Sequence, residues 1–199
     1  MSIELRTPLY ILFLLLTACS SKPPSDLFSF EMAALNGRVD FSSLRSSKAS
    51  VFIFLAPDCP LSQNYTRTLN LLRNEFAQDS IAFYGVAAGN LSQDADIDRF
   101  IKKYSIDFPV LLDRDYRLTN FFGATVTPEA FAVDLKGKIA YKGAIDNWAS
   151  ALGARRIAAT EHYLRDALNS LRRNEEPRIK QIPPVGCFIE RGLSLNAKS

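Results

Sequence analysis

The chain has 199 residues, 47% of them apolar, which is enough for one ordinary domain with appendages. Its 24 Lys and Arg and 21 Asp and Glu leave a net charge of only +3, and their even spread excludes the concentrated basic footprint of a nucleic-acid-binding protein. Three cysteines and one histidine point to thiol chemistry and away from a metal cluster, and no cofactor is expected.

The N-terminal stretch "MSIELRTPLYILFLLLTACSS" carries an apolar run from Leu9 to Leu16, too short for a stable bilayer-crossing helix, and reads as a signal peptide over residues 1–18. Its end, "LTAC", resembles the bacterial lipobox, which implies cleavage before Cys19 and attachment of a diacylglycerol to its sulfur. An ordinary cleaved signal and an uncleaved anchor are the alternatives. Ser20, Ser21 and "KPPSD" then form a tether over residues 19–26. The expected product is exported, faces the periplasm or cell surface and is held to the membrane through Cys19. With Cys19 so used, Cys59 and Cys187 remain as two thiols in a compartment that permits disulfides.

The main domain is expected over residues 27–174. Alternation around "NG" predicts a hairpin from Leu27 to Phe41, and "SVFIFLA" (50–56) reads as a buried central strand. Leu61, Tyr65, Leu69, Leu72 and Phe76 then recur at helical spacing, predicting a helix to about Gln78. The pattern repeats: strand 80–88, a helix opened by Ser92 as cap, strand 108–113 and a short helix 115–122. "EAFAVDLKGKIAYKG" predicts two antiparallel strands completing the sheet, and residues 159–174 an amphipathic helix with Tyr163, Leu164, Ala167, Leu168 and Leu171 on one face. An irregular excursion over residues 144–157 and a Pro-containing tail over 175–199 have no regular period. The fold class is α/β, a central mixed sheet flanked by helices.

Cys59 stands where the central strand hands over to a helix, between Pro57, Asp58 and Pro60. A helix N-terminus offers free N–H groups and partial positive charge, which favour thiolate over thiol. The position is therefore read as reactive and not as packing. Ser62 lies where a C-x-x-C motif would hold its resolving thiol; a hydroxyl can donate to a thiolate but cannot resolve a disulfide, and an ordinary first-turn serine is an equal reading. Asp58 is expected to cap the helix, with an upward pull on the neighbouring thiol's pKa as the alternative, His162 to be a solvated or partly packed side chain, and Asp146, Asn147 and Trp148 to form either a cleft wall or a turn around one packed aromatic.

Taken together, "APDCPLS" after a strand, "GATVTPEAFAVD" and "GKIAYKGAID" resemble the thioredoxin-like superfamily, and within it the exported redoxin (AhpC/TSA) branch. The resemblance implies a cis-proline at Pro128, preceded by Thr127, facing Cys59 and offering backbone hydrogen bonds to an extended substrate, with Pro60 beside it. It also exposes two departures. The peroxidase branch carries Pro and Thr or Ser where this chain has Phe52 and Ala56, and the thioredoxin branch carries Cys where it has Ser62. Copper-chaperone relatives need two cysteines in one loop and a distal histidine, which this chain lacks.

Cys187 could fold back as a distal resolving cysteine; a surface thiol or a disulfide locking the tail are the other readings. The leading expectation is a membrane-tethered thiol:disulfide oxidoreductase. A thiol-dependent peroxidase and a non-catalytic binding module are the alternatives. The expected partners are a protein or small-molecule disulfide or a peroxide, and a thiol electron donor.

Overall fold

The computed structural model describes residues 26–191, so the signal-peptide and Cys19 expectations lie outside the described residues. Chain order is β1 (Glu31–Ala34), β2 (Gly37–Asp40), β3 (Ala49–Phe54), α1 (Pro60–Glu75), β4 (Ile81–Ala88), α2 (Asp94–Lys103), β5 (Val110–Asp113) and α3 (Arg117–Phe122). Next come β6 (Val126–Thr127), β7 (Glu129–Asp134), β8 (Ile139–Gly143), β9 (Ala149–Ala151), β10 (Ala154–Arg155), α4 (Tyr163–Arg172), β11 (Gln181–Ile182) and β12 (Cys187–Phe188). Eight strands form one mixed sheet in the order β11-β8-β7-β3-β4-β5-β1-β2. β3, β4 and β5 run parallel, while β7 is antiparallel to β3 and β8 antiparallel to β7.

β3 sits in the middle because it is apolar on both faces. Val51, Ile53 and Leu55 point into a core shared with Leu69 of α1, Phe100 of α2 and Leu168 of α4. Phe52 and Phe54, one residue out of phase, enter a second core with Phe41, Phe122 and Phe131. In that second layer the Phe52 ring stands 4.9 Å from Phe122 and 5.3 Å from Phe41, centroid to centroid.

Several expected boundaries move, each for a local reason. The first hairpin is Glu31–Asp40; Leu27–Ser29 instead forms a 3-10 turn because the Asp26 carboxylate accepts the N–H of Phe28. Gln93, not Ser92, occupies the cap of α2. α3 starts at Arg117 because the buried Asp113 carboxylate accepts the N–H groups of Leu118 (3.0 Å) and Thr119 (2.7 Å), and the Thr119 hydroxyl. α4 starts only at Tyr163, leaving half-buried His162 at its cap. Leu61 is half-buried while Ser62 is fully buried, so the inward stripe of α1 is Ser62, Tyr65, Thr66, Leu69 and Leu72.

The antiparallel pair β7–β8 does not end the sheet. The tail adds β11 in parallel to β8, and the N-terminal hairpin extends the other side beyond β5. A side chain on Gly143 would place its Cβ 1.7 Å from the carbonyl oxygen of Ile182, and its φ is +121°, so only glycine lets β11 dock. Among the described residues, no helix is long and apolar enough to cross a membrane.

Candidate active site

Cys59 is the N-cap residue of α1, with Pro60 at the first helical position, where a missing N–H costs nothing. The turn before it is closed by Cys59 N–H donating to Ala56 O (3.1 Å), and its own carbonyl accepts the first helical bond from Gln63 N–H. Asp58 is exposed and makes no cap bond to α1, correcting its expected role, because the cap position is one residue further on. The Cys59 side chain is only 2% exposed and donates its thiol proton to the carbonyl oxygen of Thr127 at 3.0 Å.

Thr127 ends the short strand β6, and the Thr127–Pro128 peptide bond is cis. β6 is held by Glu129, a buried carboxylate that accepts Thr125 N–H (2.8 Å) and Val126 N–H (3.3 Å). The sequence reading passed over Glu129. Its signal was a single acid opening the otherwise apolar strand "EAFAVD".

β6 is not a strand of the main sheet; among the described residues its only ladder partner is β12. The two run antiparallel with Cys187 opposite Thr127 and Phe188 opposite Val126. Ile189 N–H continues the ladder to Thr125 O (2.9 Å), Tyr116 Oη donates to Glu190 O (2.8 Å), and Arg191 Nη2 donates to Ala124 O (3.1 Å). This register brings Cys187 against Cys59, and both are free thiols.

The electrostatics of the two sulfurs differ. Burial pushes Cys59 up, but it is outweighed by groups that favour the thiolate: the Cys187 thiol, the backbone N–H of Ser62, the Thr127 side chain and the backbone N–H of Cys187. Its pKa falls below that of an ordinary thiol. Cys187 is pushed up to about 12 by burial, by its hydrogen bond to Cys59 and by the negative charges of Cys59 and Asp58. One sulfur of the pair is readily ionised while the other keeps its proton.

Ser62 takes the donor-accepting role at the site: its Oγ accepts the N–H of Ala56 (3.2 Å) and so ties the end of β3 to α1. Asp146, Asn147 and Trp148 belong to a strut on α1. Asp146 accepts Tyr65 Oη (2.7 Å) and Trp148 N–H (2.8 Å), Trp148 packs edge-on against the Tyr65 ring at 5.5 Å, and Asn147 ties down Thr160 and Glu161.

A buried thiol opening a helix and touching the carbonyl before a cis-proline, set at the centre of this mixed sheet, defines a thioredoxin-like protein. Within that class the chain belongs to the AhpC/TSA family, whose model matches residues 25–142. Cys187 lies beyond the matched segment. No curated protein sequence matches the chain. Among solved structures, an uncharacterized conserved protein from Geobacillus kaustophilus is 22% identical, with 87% of this chain and 95% of that one covered and a TM-score of 0.73. A hypothetical protein from Sinorhizobium meliloti 1021 is 21% identical over 80% and 89% of the two chains, with a TM-score of 0.70. A secreted Mycobacterium tuberculosis disulfide oxidoreductase homologous to E. coli DsbE is 18% identical over 74% and 96%, with a TM-score of 0.52. These likenesses show the fold.

Proposed function

We propose that the chain is an exported thiol:disulfide oxidoreductase in which Cys59 is the nucleophile and Cys187 the resolving thiol. The carrying observation is the register of β12 on β6, which sets Cys187 opposite Thr127 while Cys59 donates to the Thr127 carbonyl. The Cys59 thiolate attacks one sulfur of a substrate disulfide, forming a mixed disulfide and releasing the other sulfur as thiolate. That step removes the negative charge on Cys59, and with it part of what holds the proton on Cys187. Cys187 then loses its proton to solvent and attacks the Cys59 sulfur, releasing the second substrate thiolate. Two electrons have passed from the thiol pair to the substrate, and an external dithiol restores the pair.

The roles of the neighbouring residues follow from their placement. Thr127 and Pro128 flank the sulfur with backbone, Pro60 fixes the start of α1, and Ser62 holds that helix to β3 while aiming its N–H at the thiolate. Anchoring through a lipidated Cys19 belongs to the same reading and rests on "LTAC"; radiolabelled palmitate should enter the chain and be lost in Cys19→Ser.

Mild oxidation followed by peptide mass mapping tests the central claim. The expected product is a Cys59–Cys187 bond, with Cys59 alkylated faster than a model thiol in the reduced chain. A Cys59 no faster than the model thiol, with neither bond nor adduct formed, overturns the proposal.

Peroxide reduction is a second reading, favoured by the AhpC/TSA match. The thiolate would take one peroxide oxygen to become a sulfenic acid, the other oxygen leaving as alcohol or water, and Cys187 would condense with it to expel water. Phe52 and Ala56 supply no hydroxyl to activate the peroxide. Peroxide consumption with a thiol donor, lost in Cys59→Ser, is the deciding assay.

A further inference from the structure

Tyr116 stands in the turn between β5 and α3 with a left-handed backbone, φ +59°, which a bulky residue rarely adopts. Arg114, two residues earlier, donates to the carbonyl oxygens of Gly89 (2.8 Å) and Ser92 (2.7 Å) and pairs with Asp94. The turn that carries Tyr116 is thereby clamped to the loop after β4, and the Tyr116 ring lies over Gly89. A Cβ on Gly89 would overlap the Tyr116 hydroxyl and lie 2.7 Å from Cζ, and the φ of Gly89 is +72°. Seated on a residue with no side chain, the hydroxyl donates to the carbonyl oxygen of Glu190 at 2.8 Å. Glu190 lies three residues beyond Cys187. On the near side of the cysteine, Gly186 lets the strand lie against Thr127, where a Cβ would stand 2.5 Å from the carbonyl oxygen. Cys187 is bracketed by a close backbone approach before it and by Tyr116 after it.

We infer that Tyr116, seated on Gly89, is a positioning residue for the second half of the reaction: it holds β12 in the register that keeps the Cys187 sulfur beside Cys59, and so sets the rate at which a mixed disulfide is resolved. The inference rests on the reading of Cys59 as the attacking and Cys187 as the resolving thiol. Capture of substrate needs the Cys59 thiolate alone. Resolution needs two sulfurs within reach of each other before an external thiol arrives, and a thiol held in place attacks as though at high local concentration. Each contact that limits the excursions of β12 raises that concentration. Tyr116 acts on the strand and not on a sulfur, since its hydroxyl donates to backbone. A left-handed tyrosine is locally unfavourable, and the bond it delivers to β12 offsets that cost.

The test uses the full chain, reduced, with an equimolar amount of methyl methanethiosulfonate, chosen for its small methylthio group, at a pH above the Cys59 midpoint. The Cys59 thiolate takes the methylthio group and methanesulfinate leaves. Cys187 then loses its proton to solvent and attacks the Cys59 sulfur, so that the Cys59–Cys187 bond forms and methanethiolate leaves. Acid quenching and peptide mass mapping follow the adduct and the internal disulfide separately. Tyr116→Phe, which removes only the bond to Glu190 O, is expected to change adduct formation by less than about twofold and to slow its conversion about fivefold. Gly89→Ala, which displaces the whole ring, should slow conversion about tenfold; if it does not fold, Tyr116→Phe decides alone. In both variants the alkylation midpoint of Cys59 should move upward, towards that of Cys187→Ala, because the donors on β12 are held less closely. A loss of stability elsewhere in the fold would move neither reading. Unchanged conversion in Tyr116→Phe, with normal conversion in the unaltered chain, overturns the positioning inference alone. An unaltered chain whose Cys59 takes no methylthio group, or whose adduct never becomes the internal disulfide, overturns the underlying reading and the inference with it.

Discussion

Cys59 Sγ and the carbonyl oxygen of Thr127 are 68 residues apart in sequence and 3.0 Å apart in space. That contact joins the start of α1 to the end of β6. The strand partner of Thr127 brings a second sulfur, and Glu129 fixes the strand from below.

The two thiols should titrate far apart. Alkylation of Cys59, read by peptide mass, rises with pH as thiolate forms, so a pKa lowered from that of an ordinary thiol places its midpoint at lower pH. Cys187 should stay protonated until about 12. In Cys187→Ala the thiolate of Cys59 loses a hydrogen-bond donor, so the Cys59 midpoint should move upward.

The Tyr65–Asp146 bond should matter for stability more than for chemistry. Both partners are buried, so Asp146→Ala leaves the Tyr65 hydroxyl without its acceptor at a cost of about 1–3 kcal/mol. Urea unfolding of the single and double variants should show coupling, with Tyr65→Phe in the Asp146→Ala background costing less than Tyr65→Phe alone.

Removing the Phe52 ring should cost about 3–5 kcal/mol, because it is fully buried and its aromatic neighbours cannot collapse into the space. The midpoint of denaturant unfolding reads this directly.

Gly143→Ala should detach β11 and leave the rest of the sheet in place. The amides of Lys142 and Ala144, which donate to Lys180 and Ile182 carbonyls at 3.0 and 3.1 Å, should lose hydrogen-exchange protection, while those of β3 keep theirs. Retained protection at Ala144 would contradict this account.

The elements that sequence periodicity revealed are those whose neighbours are local or whose burial is symmetrical. β3 was legible as an unbroken apolar run, and α4 through Leu164, Leu168 and Leu171. The position of Cys59 was legible because a strand end, two prolines and a helical stripe lie within a dozen residues. The cis bond at Pro128 came through resemblance alone. β11 and β12 could not be read, since each is two residues long and owes its existence to a distant strand and to the absence of a side chain at Gly143 and Gly186. The contact of Ser62 was not legible for a similar reason: its hydroxyl accepts Ala56 N–H, a partner fixed by the turn and not by the C-x-x-S spacing.

The placement of Cys187 opposite Thr127 has a thermodynamic corollary. A bond from Cys187 to Cys59 would turn most of the folded domain into a covalent ring, and loops of such length restrict the unfolded chain by about 4–5 kcal/mol in the chain-entropy model. Redox state and melting temperature would then be linked: whatever extra stability the ring confers on the folded protein must reappear as a lower reduction potential, so that tightening the native fold around the pair makes its disulfide harder to reduce.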